Sequence, residues 1–342
     1  DAKLCSLMRD RAIALKNLGK YEESEKLLQE IIQIESKSGG QNSVGVARTR
    51  LVLAALYNLQ GKFVDAEYQA KSAQGIIGKR PNADDALMGS ALQQLAQAYQ
   101  SQGRFAEAER LFLNSLELHT KSYGSSHSVL IKDFNGLGNI YLQQGKVAEA
   151  EEKYEKALAI AQNLKGADSH PDIPLITQAL ANVYRTQKKF SEAETMYKKA
   201  IDMQMMKLGS QHPIAAGFMY NLGNLYFDAG RFTEAQHWYD RALEIQTKAF
   251  GPNSPDIANT MQGLARVYKQ QGQLEKCEST ITKSIEIQRK SLGPDHPNLA
   301  LSYAVLADVL ALQGENKKAD DAKTEIQRIK QKNAAPVKSV AK

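Results

Sequence analysis

A single glycine returns along this chain at a nearly constant interval of 42 residues. The positions are Gly19, Gly61, Gly103, Gly145, Gly230, Gly272 and Gly314. One interval is 85 residues long, and within it Lys188 takes the place of the glycine, with one extra residue upstream. The 342 residues therefore consist of eight copies of one unit. Such a period predicts a stack of repeats in which each copy packs mainly against its neighbours.

Each unit predicts two α-helices joined by a tight turn. In the sixth copy, apolar residues recur at helical spacing from Ile214 to Ala229 and again from about Thr233 to Phe250. Gly230 lies between these segments and suits the left-handed backbone that commonly ends a helix. The small residues Gly223 and Ala235 would let the two helices approach closely. The predicted fold class is all-α, an α-solenoid of about eight helix-turn-helix hairpins.

The same residue types occupy equivalent positions in successive copies. A Leu stands eight residues before the turn and is followed by Gly or Ala, a Tyr comes one helical turn later, and an Ala stands five residues after the turn. The leucines are Leu53, Leu95, Leu137, Leu180, Leu222, Leu264 and Leu306; the tyrosines are Tyr57, Tyr99, Tyr141, Tyr184, Tyr226 and Tyr268; the alanines are Ala66, Ala108, Ala150, Ala193, Ala235 and Ala319.

This skeleton resembles the tetratricopeptide repeat. The 42-residue period and the G-x-x-H-P-x-x-A connector between copies resemble the kinesin light chain type of that repeat. The resemblance covers essentially the whole chain. It implies that the first helices line a concave groove on which segments of partner proteins lie, and it implies no particular partner.

The period places the repeats near residues 1–41, 42–83, 84–126, 127–169, 170–211, 212–253, 254–295 and 296–332, all within one solenoid. Both terminal copies depart from the pattern: Arg11 stands where other copies have Leu, and Lys323 stands where they have a large apolar residue. A polar outer face keeps a terminal repeat soluble. Residues 333–342 are predicted to form a basic, flexible C-terminal tail.

The net charge of +6 belongs mainly to the C-terminus. Five basic residues and no acidic ones lie from Arg328 to Lys342, which leaves +1 for the rest of the chain. A charge confined to a tail argues against nucleic-acid binding by the repeats. The sequence has no run of 18 apolar residues, so we predict no membrane span.

Two features bear on the compartment. Cys5 and Cys277 lie six repeats apart and are expected to be free thiols, which favours a reducing, cytoplasmic setting. The chain opens on Asp1 and not on Met, which keeps open the alternative of export after removal of a leader.

Histidines recur before proline at the repeat boundaries, at His170, His212 and His296. One histidine per repeat places them about 10 Å apart, the spacing of packed helices, whereas a zinc–nitrogen bond is ~2 Å long. We expect them instead to cap the next helix. The sequence also lacks a nucleophile elbow, a phosphate-binding loop, a dinucleotide fingerprint and an HExxH helix. We therefore expect no catalysis, no cofactor, no metal site and no small-molecule substrate.

First-helix side chains six and ten residues before each turn are expected to face the groove. In the central repeats these are mostly amides, and the candidate peptide-binding residues are Asn135, Asn139, Gln178, Asn182, Arg185, Tyr220, Asn224, Gln262, Arg266 and Lys269. An amide has both donors and an acceptor, so a row of amides can pair with an extended peptide backbone of any sequence. The alternative is that each Asn only bonds to a neighbouring helix or to water.

The charges expected in the groove indicate the kind of partner. The basic residues Lys132, Arg185, Arg266 and Lys269 outnumber Asp228 and Asp308, which favours a partner with acidic segments or a carboxylate. The sequence thus predicts a non-catalytic scaffold that binds an extended or helical segment of a partner protein and is a monomer when free. The alternative is a module that self-associates through the ends or the convex face of the solenoid.

Overall fold

The computed structural model describes residues 2–80, 84–164 and 170–334 of the chain. Within these ranges the chain forms sixteen α-helices and no β-strand, which confirms the all-α prediction. The helices are α1 (Ala2–Asn17), α2 (Tyr21–Gly39), α3 (Val44–Leu59), α4 (Phe63–Gly78), α5 (Asp85–Ser101), α6 (Phe105–Tyr123), α7 (Leu130–Gln143), α8 (Val147–Asn163), α9 (Ile173–Thr186), α10 (Phe190–Leu208), α11 (Pro213–Asp228), α12 (Phe232–Phe250), α13 (Pro255–Gln270), α14 (Leu274–Leu292), α15 (Pro297–Leu312) and α16 (Asn316–Ala334). None of them, over the residues described, is both long and apolar enough to cross a membrane.

The turn inside each hairpin has the backbone that the repeated glycine predicts. Gly230 has φ 74°, and the N–H of Arg231 donates to the carbonyl oxygen of Tyr226 across the turn at 2.8 Å. In the fifth hairpin Lys188 adopts φ 60° at the equivalent position, a left-handed conformation that disfavours any residue with a Cβ atom. The turn therefore imposes its conformation even where the sequence does not provide glycine.

Glycines inside the first helices let tyrosine rings pack directly against the helix backbone. A Cβ atom built on Gly138 would lie 2.7 Å from Tyr154 Cε1, and one on Gly223 would lie 2.7 Å from Tyr239 Cδ1. Both rings are completely buried. The close approach expected from Gly223 is confirmed, and the tyrosine of the second helix is the side chain that requires it.

The residues before the helix-initiating prolines are caps, as the sequence predicts. His212 Nδ1 accepts a hydrogen bond from the N–H of Ile214 at 3.2 Å, and His296 Nδ1 accepts one from the N–H of Asn298 at the same distance. Ser254 accepts the corresponding bond in the repeat between them. Each cap satisfies one of the free N–H groups at a helix start.

The chain divides into two compact units, Asp1–Val183 and Tyr184–Lys342, and the boundary falls within α9. The first unit has a buried core that includes Leu28 and Leu53. The second unit has a core that includes Ile281 and Leu299. Each unit therefore has its own hydrophobic core.

Buried polar contacts recur at one register of the interfaces between successive repeats. In the first unit, Thr49 Oγ1 donates to Glu35 Oε2 at 2.7 Å, and Arg9 forms an ion pair with Glu35 at 2.7 Å. In the second unit, Ser302 Oγ donates to Gln288 Oε1 at 2.8 Å. The Thr49 and Ser302 bonds each join a second helix to the first helix of the next repeat, whereas the Arg9 ion pair joins the two helices of the first repeat. The register therefore links neighbouring repeats by polar as well as apolar contacts.

The interface between α6 and α7 has the most extensive of these contacts. Asp133 Oδ2 lies 2.7 Å from His119 Nδ1, and Asp133 Oδ1 accepts hydrogen bonds from Ser115 Oγ at 2.8 Å and Gln93 Nε2 at 2.9 Å. His119 and Asp133 are both completely buried. Because neither side chain reaches solvent, the network holds α5, α6 and α7 together and does not face a ligand.

The last helix extends two residues into the predicted tail. Asn333 Nδ2 donates to the carbonyl oxygen of Asp295 at 2.8 Å, and Arg328 forms an ion pair with the Asp295 carboxylate. The helix α16 ends at Ala334. The remaining residues of the predicted tail, 335–342, lie outside the described residues.

Candidate functional site

Side chains mainly from odd-numbered helices of the first unit line a cavity of about 380 Å³, with Phe112 contributed by α6. Its lining contains three charged residues (Lys16, Lys132 and Asp172), five amides (Asn58, Gln93, Gln94, Gln97 and Asn135) and the apolar residues Ala55, Leu59, Phe112, Ile131, Leu175 and Ile176. A second cavity of about 570 Å³ shares the three charged residues. Mixed walls of this kind and size are typical of sites that bind a small molecule or a few side chains.

Two lysines from distant parts of the sequence line both cavities. Lys16 lies on α1 and is half-buried, whereas Lys132 lies on α7 and is exposed. Burial lowers the pKa of the Lys16 ammonium group, and the positive charge of Lys132 lowers it further. Neither lysine forms an ion pair with any carboxylate in the described part of the chain. The cavity therefore contains uncompensated positive charge.

Two of the predicted groove asparagines have their amides oriented by a buried tyrosine. The Tyr154 hydroxyl donates to Asn139 Oδ1 at 2.6 Å, and the Tyr239 hydroxyl donates to Asn224 Oδ1 at 2.7 Å. The amide oxygen is occupied in both cases, so the Nδ2 group is the part that remains to donate elsewhere. Asn182, the third of the set, also interacts with a neighbour. Internal bonding and partner binding are thus compatible at these positions.

The predicted residues ten positions before the turn have different surroundings. Asn135 lines the cavity of the first unit, and Gln178 is partly buried on α9. In the second unit, Gln262 Nε2 donates to Ser302 Oγ at 3.2 Å, across the interface between two repeats. The Tyr220 ring centroid lies 5.8 Å from that of Tyr239. Of these residues, Asn135 is the one placed on the cavity wall.

The predicted basic residues of the second unit are largely balanced by acidic neighbours. Arg185 forms an ion pair with Asp228 at 3.4 Å, and Lys269 forms one with Asp308 at 2.7 Å. The guanidinium of Arg266 lies 4.0 Å from the centroid of a neighbouring phenylalanine ring. Sequence reasoning counted these charges by sign and did not pair them. The positive charges of Arg185 and Lys269 are therefore neutralised inside the second unit.

Lys16 is a cavity residue that the sequence reasoning missed. A signal was present, because Lys16 stands three residues before Gly19, just as Arg185 and Lys269 stand three residues before their own turns. The first copy departs from the repeat pattern, for example at Arg11, which obscures this register. The first repeat therefore contributes a side chain to the cavity of the first unit.

Comparison with known families gives one match. The tetratricopeptide repeat model matches residues 3–76, 87–163, 129–206, 214–276 and 263–332. These matches cover most of the chain. A search of curated proteins gives no match.

Several solved structures share the fold. The Rap protein complexed with competence and sporulation factor is 13% identical, with a TM-score of 0.66, and the match covers 97% of this chain and 99% of that one. BtubC (BKLC) from P. vanneervenii is 22% identical, with a TM-score of 0.54 and coverage of 71% and 92%. A STAND-type signal transduction ATPase from Pyrococcus horikoshii, which has a tetratricopeptide repeat sensor, is 16% identical, with a TM-score of 0.67 and coverage of 95% and 47%. At these identities the likeness concerns the fold alone.

Proposed function

Because the chain belongs to the tetratricopeptide repeat family, we propose that this interaction scaffold binds an extended or helical segment of a partner protein along its first helices, without catalysis. The observation that supports this most is the tyrosine-oriented amide of Asn139 and Asn224. An amide whose oxygen is held presents its N–H groups in one direction. Such a group is ready to donate to a backbone carbonyl without first losing rotamer freedom.

The cavity of the first unit supports the same placement. Ala55 and Gln97, which stand six residues before their turns as Asn139 does, line its wall together with Asn135. Two residues at the position equivalent to Asn139 thus line the cavity, which supports a groove-facing role for that position. Backbone-directed donors next to apolar side chains suit an extended segment, because its carbonyl groups and side chains alternate in direction. We propose no small-molecule substrate for this face.

The test removes the N–H donor of each asparagine and keeps the oxygen that accepts from the tyrosine hydroxyl. In the double variant Asn139→Asp with Asn224→Asp, each carboxylate can still accept from its tyrosine but can no longer donate to a partner. We expect stability to change little and affinity to fall. In either unit the loss of one hydrogen bond of about 0.5–1.5 kcal/mol corresponds to a loss of about 2- to 13-fold in affinity. Affinity capture from the native cell identifies the segment, and calorimetry measures its binding.

A matched control separates binding from folding. Tyr154→Phe keeps Asn139 and removes the hydroxyl that orients its amide. We expect it to weaken binding by a smaller factor than the aspartate substitution. A double aspartate variant that melts like the wild type and binds captured segments equally tightly would exclude these amides from the interface. A variant that binds weakly only because it unfolds would identify the asparagines as structural.

We propose that the free protein is a monomer, in a cytoplasmic setting consistent with its two free, buried cysteines, Cys5 and Cys277. Light scattering after size-exclusion chromatography tests the oligomeric state. A mass that rises to twice the chain mass with concentration would favour the alternative, in which the scaffold associates with itself.

A further inference from the structure

The cavity of the first unit brings together two positive charges that the sequence separates by more than a hundred residues. Lys16 lies near the end of α1, and Lys132 lies in the first turn of α7. The other cations discussed above have partners: Arg185 and Lys269 form ion pairs, and Arg266 stacks on an aromatic ring. This pair differs, because each lysine faces a like charge and has no ion-pair partner among residues 2–80, 84–164 and 170–334.

Placing two like charges in one partly enclosed cavity has a free-energy cost. Their repulsion is weak in bulk water and grows as the surroundings lose solvent. The lowered pKa of Lys16 reflects this cost, since burial and the charge of Lys132 both disfavour its charged form. An anion that entered the cavity would remove the repulsion and gain charge-assisted hydrogen bonds from both ammonium groups.

The remaining groups of the cavity indicate which anion fits. Asp172 lines both cavities, so the two lysines and this aspartate together leave one net positive charge. A single carboxylate would neutralise that charge, whereas a phosphate dianion would exceed it. The exposed Leu175 and the side chain of Leu59 provide apolar surface on the same wall. A carboxylate at the end of a short aliphatic stem matches a charged end beside an apolar wall.

We propose that Lys16 and Lys132 form a subsite that binds one Asp or Glu side chain of the partner segment. This assignment rests on the groove binding proposed above. The subsite is formed by helices three repeats apart, α1 and α7, so it exists only when the first four repeats are stacked. It gives the segment a fixed register: the acidic residue enters this cavity while the backbone lies along the amides. The acidic preference therefore comes from the first unit and not from Arg185, Arg266 and Lys269 of the second unit.

The test uses a displayed library of random 12-residue segments selected on the full chain. We expect the selected segments to share an acidic residue at one position. Replacing that residue by its amide, Glu→Gln or Asp→Asn, should weaken binding about 10-fold or more, because a charge-assisted bond is lost. The double variant Lys16→Gln with Lys132→Gln should bind the acidic and amide segments within about 2-fold of each other.

A second double variant controls for net charge. Lys37→Gln with Lys79→Gln removes the same two charges from exposed positions at the end of α2 and of α4. This variant should still prefer the acidic segment about 10-fold. If the Lys16 and Lys132 variant keeps the preference, or if both double variants lose it, the assignment of the subsite to these two lysines is wrong.

Two further outcomes distinguish the subsite from groove binding as a whole. Segments that depend on Asn139 but show no acidic preference would overturn the subsite and leave the proposed function intact. Failure to select any segment would count against both. Independently of any ligand, NMR titration of the Lys16 ammonium group should show its pKa rising when Lys132 is replaced by Gln. No change in that pKa would mean that the two charges do not share the cavity.

Discussion

The buried His119–Asp133 pair supports a quantitative prediction about the interface between the third and fourth repeats. Asp133 accepts from one ring nitrogen and two neutral donors, and it is completely buried with His119. Replacing His119 by Ile removes the ring and leaves Asp133 Oδ2 buried without its hydrogen-bond partner. Removing one partner of a buried pair in this way typically costs about 3–5 kcal/mol, because the remaining carboxyl group is buried without a compensating contact.

The chain contains its own apolar version of this contact, one repeat earlier. At the preceding interface the equivalent positions, 42 residues earlier in each case, are occupied by Leu51, Ile77 and Ala91 instead of Gln93, His119 and Asp133. All three apolar residues are buried. The triple variant Gln93→Leu, His119→Ile and Asp133→Ala transfers that set to the next interface. Because no charge remains buried, we expect it to recover stability to within about 1 kcal/mol of the wild type.

Hydrogen exchange read by mass spectrometry is the appropriate assay, because repeat arrays open locally and one global midpoint does not describe them. In the single variant His119→Ile, protection in α5, α6 and α7 should fall about 100-fold or more, the equivalent of about 3 kcal/mol. In the triple variant it should return close to the wild-type value. A single variant within about 1 kcal/mol of the wild type, or a triple variant as unstable as the single one, would refute the argument from the uncompensated carboxylate.

Three further predictions concern backbone strain, packing and pH. Lys188→Gly should stabilise the second unit by about 0.5–1 kcal/mol in urea unfolding, because Lys188 has φ 60°; an unchanged midpoint would argue against strain there. Cys277 is completely buried and burial raises the pKa of its thiol to about 11, so labelling of this thiol in the native protein should be slow. In melting experiments Cys277→Leu should reduce stability by about 1–3 kcal/mol through overpacking, whereas Cys277→Ala should cost little. Burial and a hydrogen bond to Glu25 raise the pKa of Tyr57 to about 12, above the value near 10 of an unfolded chain. Its contribution to stability is therefore present below pH ~10 and lost as the pH rises towards 12, and Tyr57→Phe should reduce that alkaline loss in a melting series.

The sequence by itself determined the architecture of this protein, because the features that set it are local. A helix period and a turn residue lie within about 35 residues, so the hairpins around Gly230 and even the aberrant Lys188 turn could be placed to within one or two residues. The small residue at Gly223 predicted the close packing of two helices for the same reason. Eight repetitions of the pattern made each of these assignments stronger.

Only the tertiary structure decided which side chains meet, because pairing depends on the stacking of repeats and not on spacing along the chain. Residue type alone left it open whether Asn139 bonds inside the protein or outside it, and the structure assigns its oxygen to Tyr154. The sequence shows that Arg185 and Asp228 have opposite charges, but only the structure shows that they form an ion pair with each other. Conversely, Lys16 and Lys132 share a cavity although nothing in their sequence positions relates them, since the stacking of four repeats alone brings α1 and α7 to one wall.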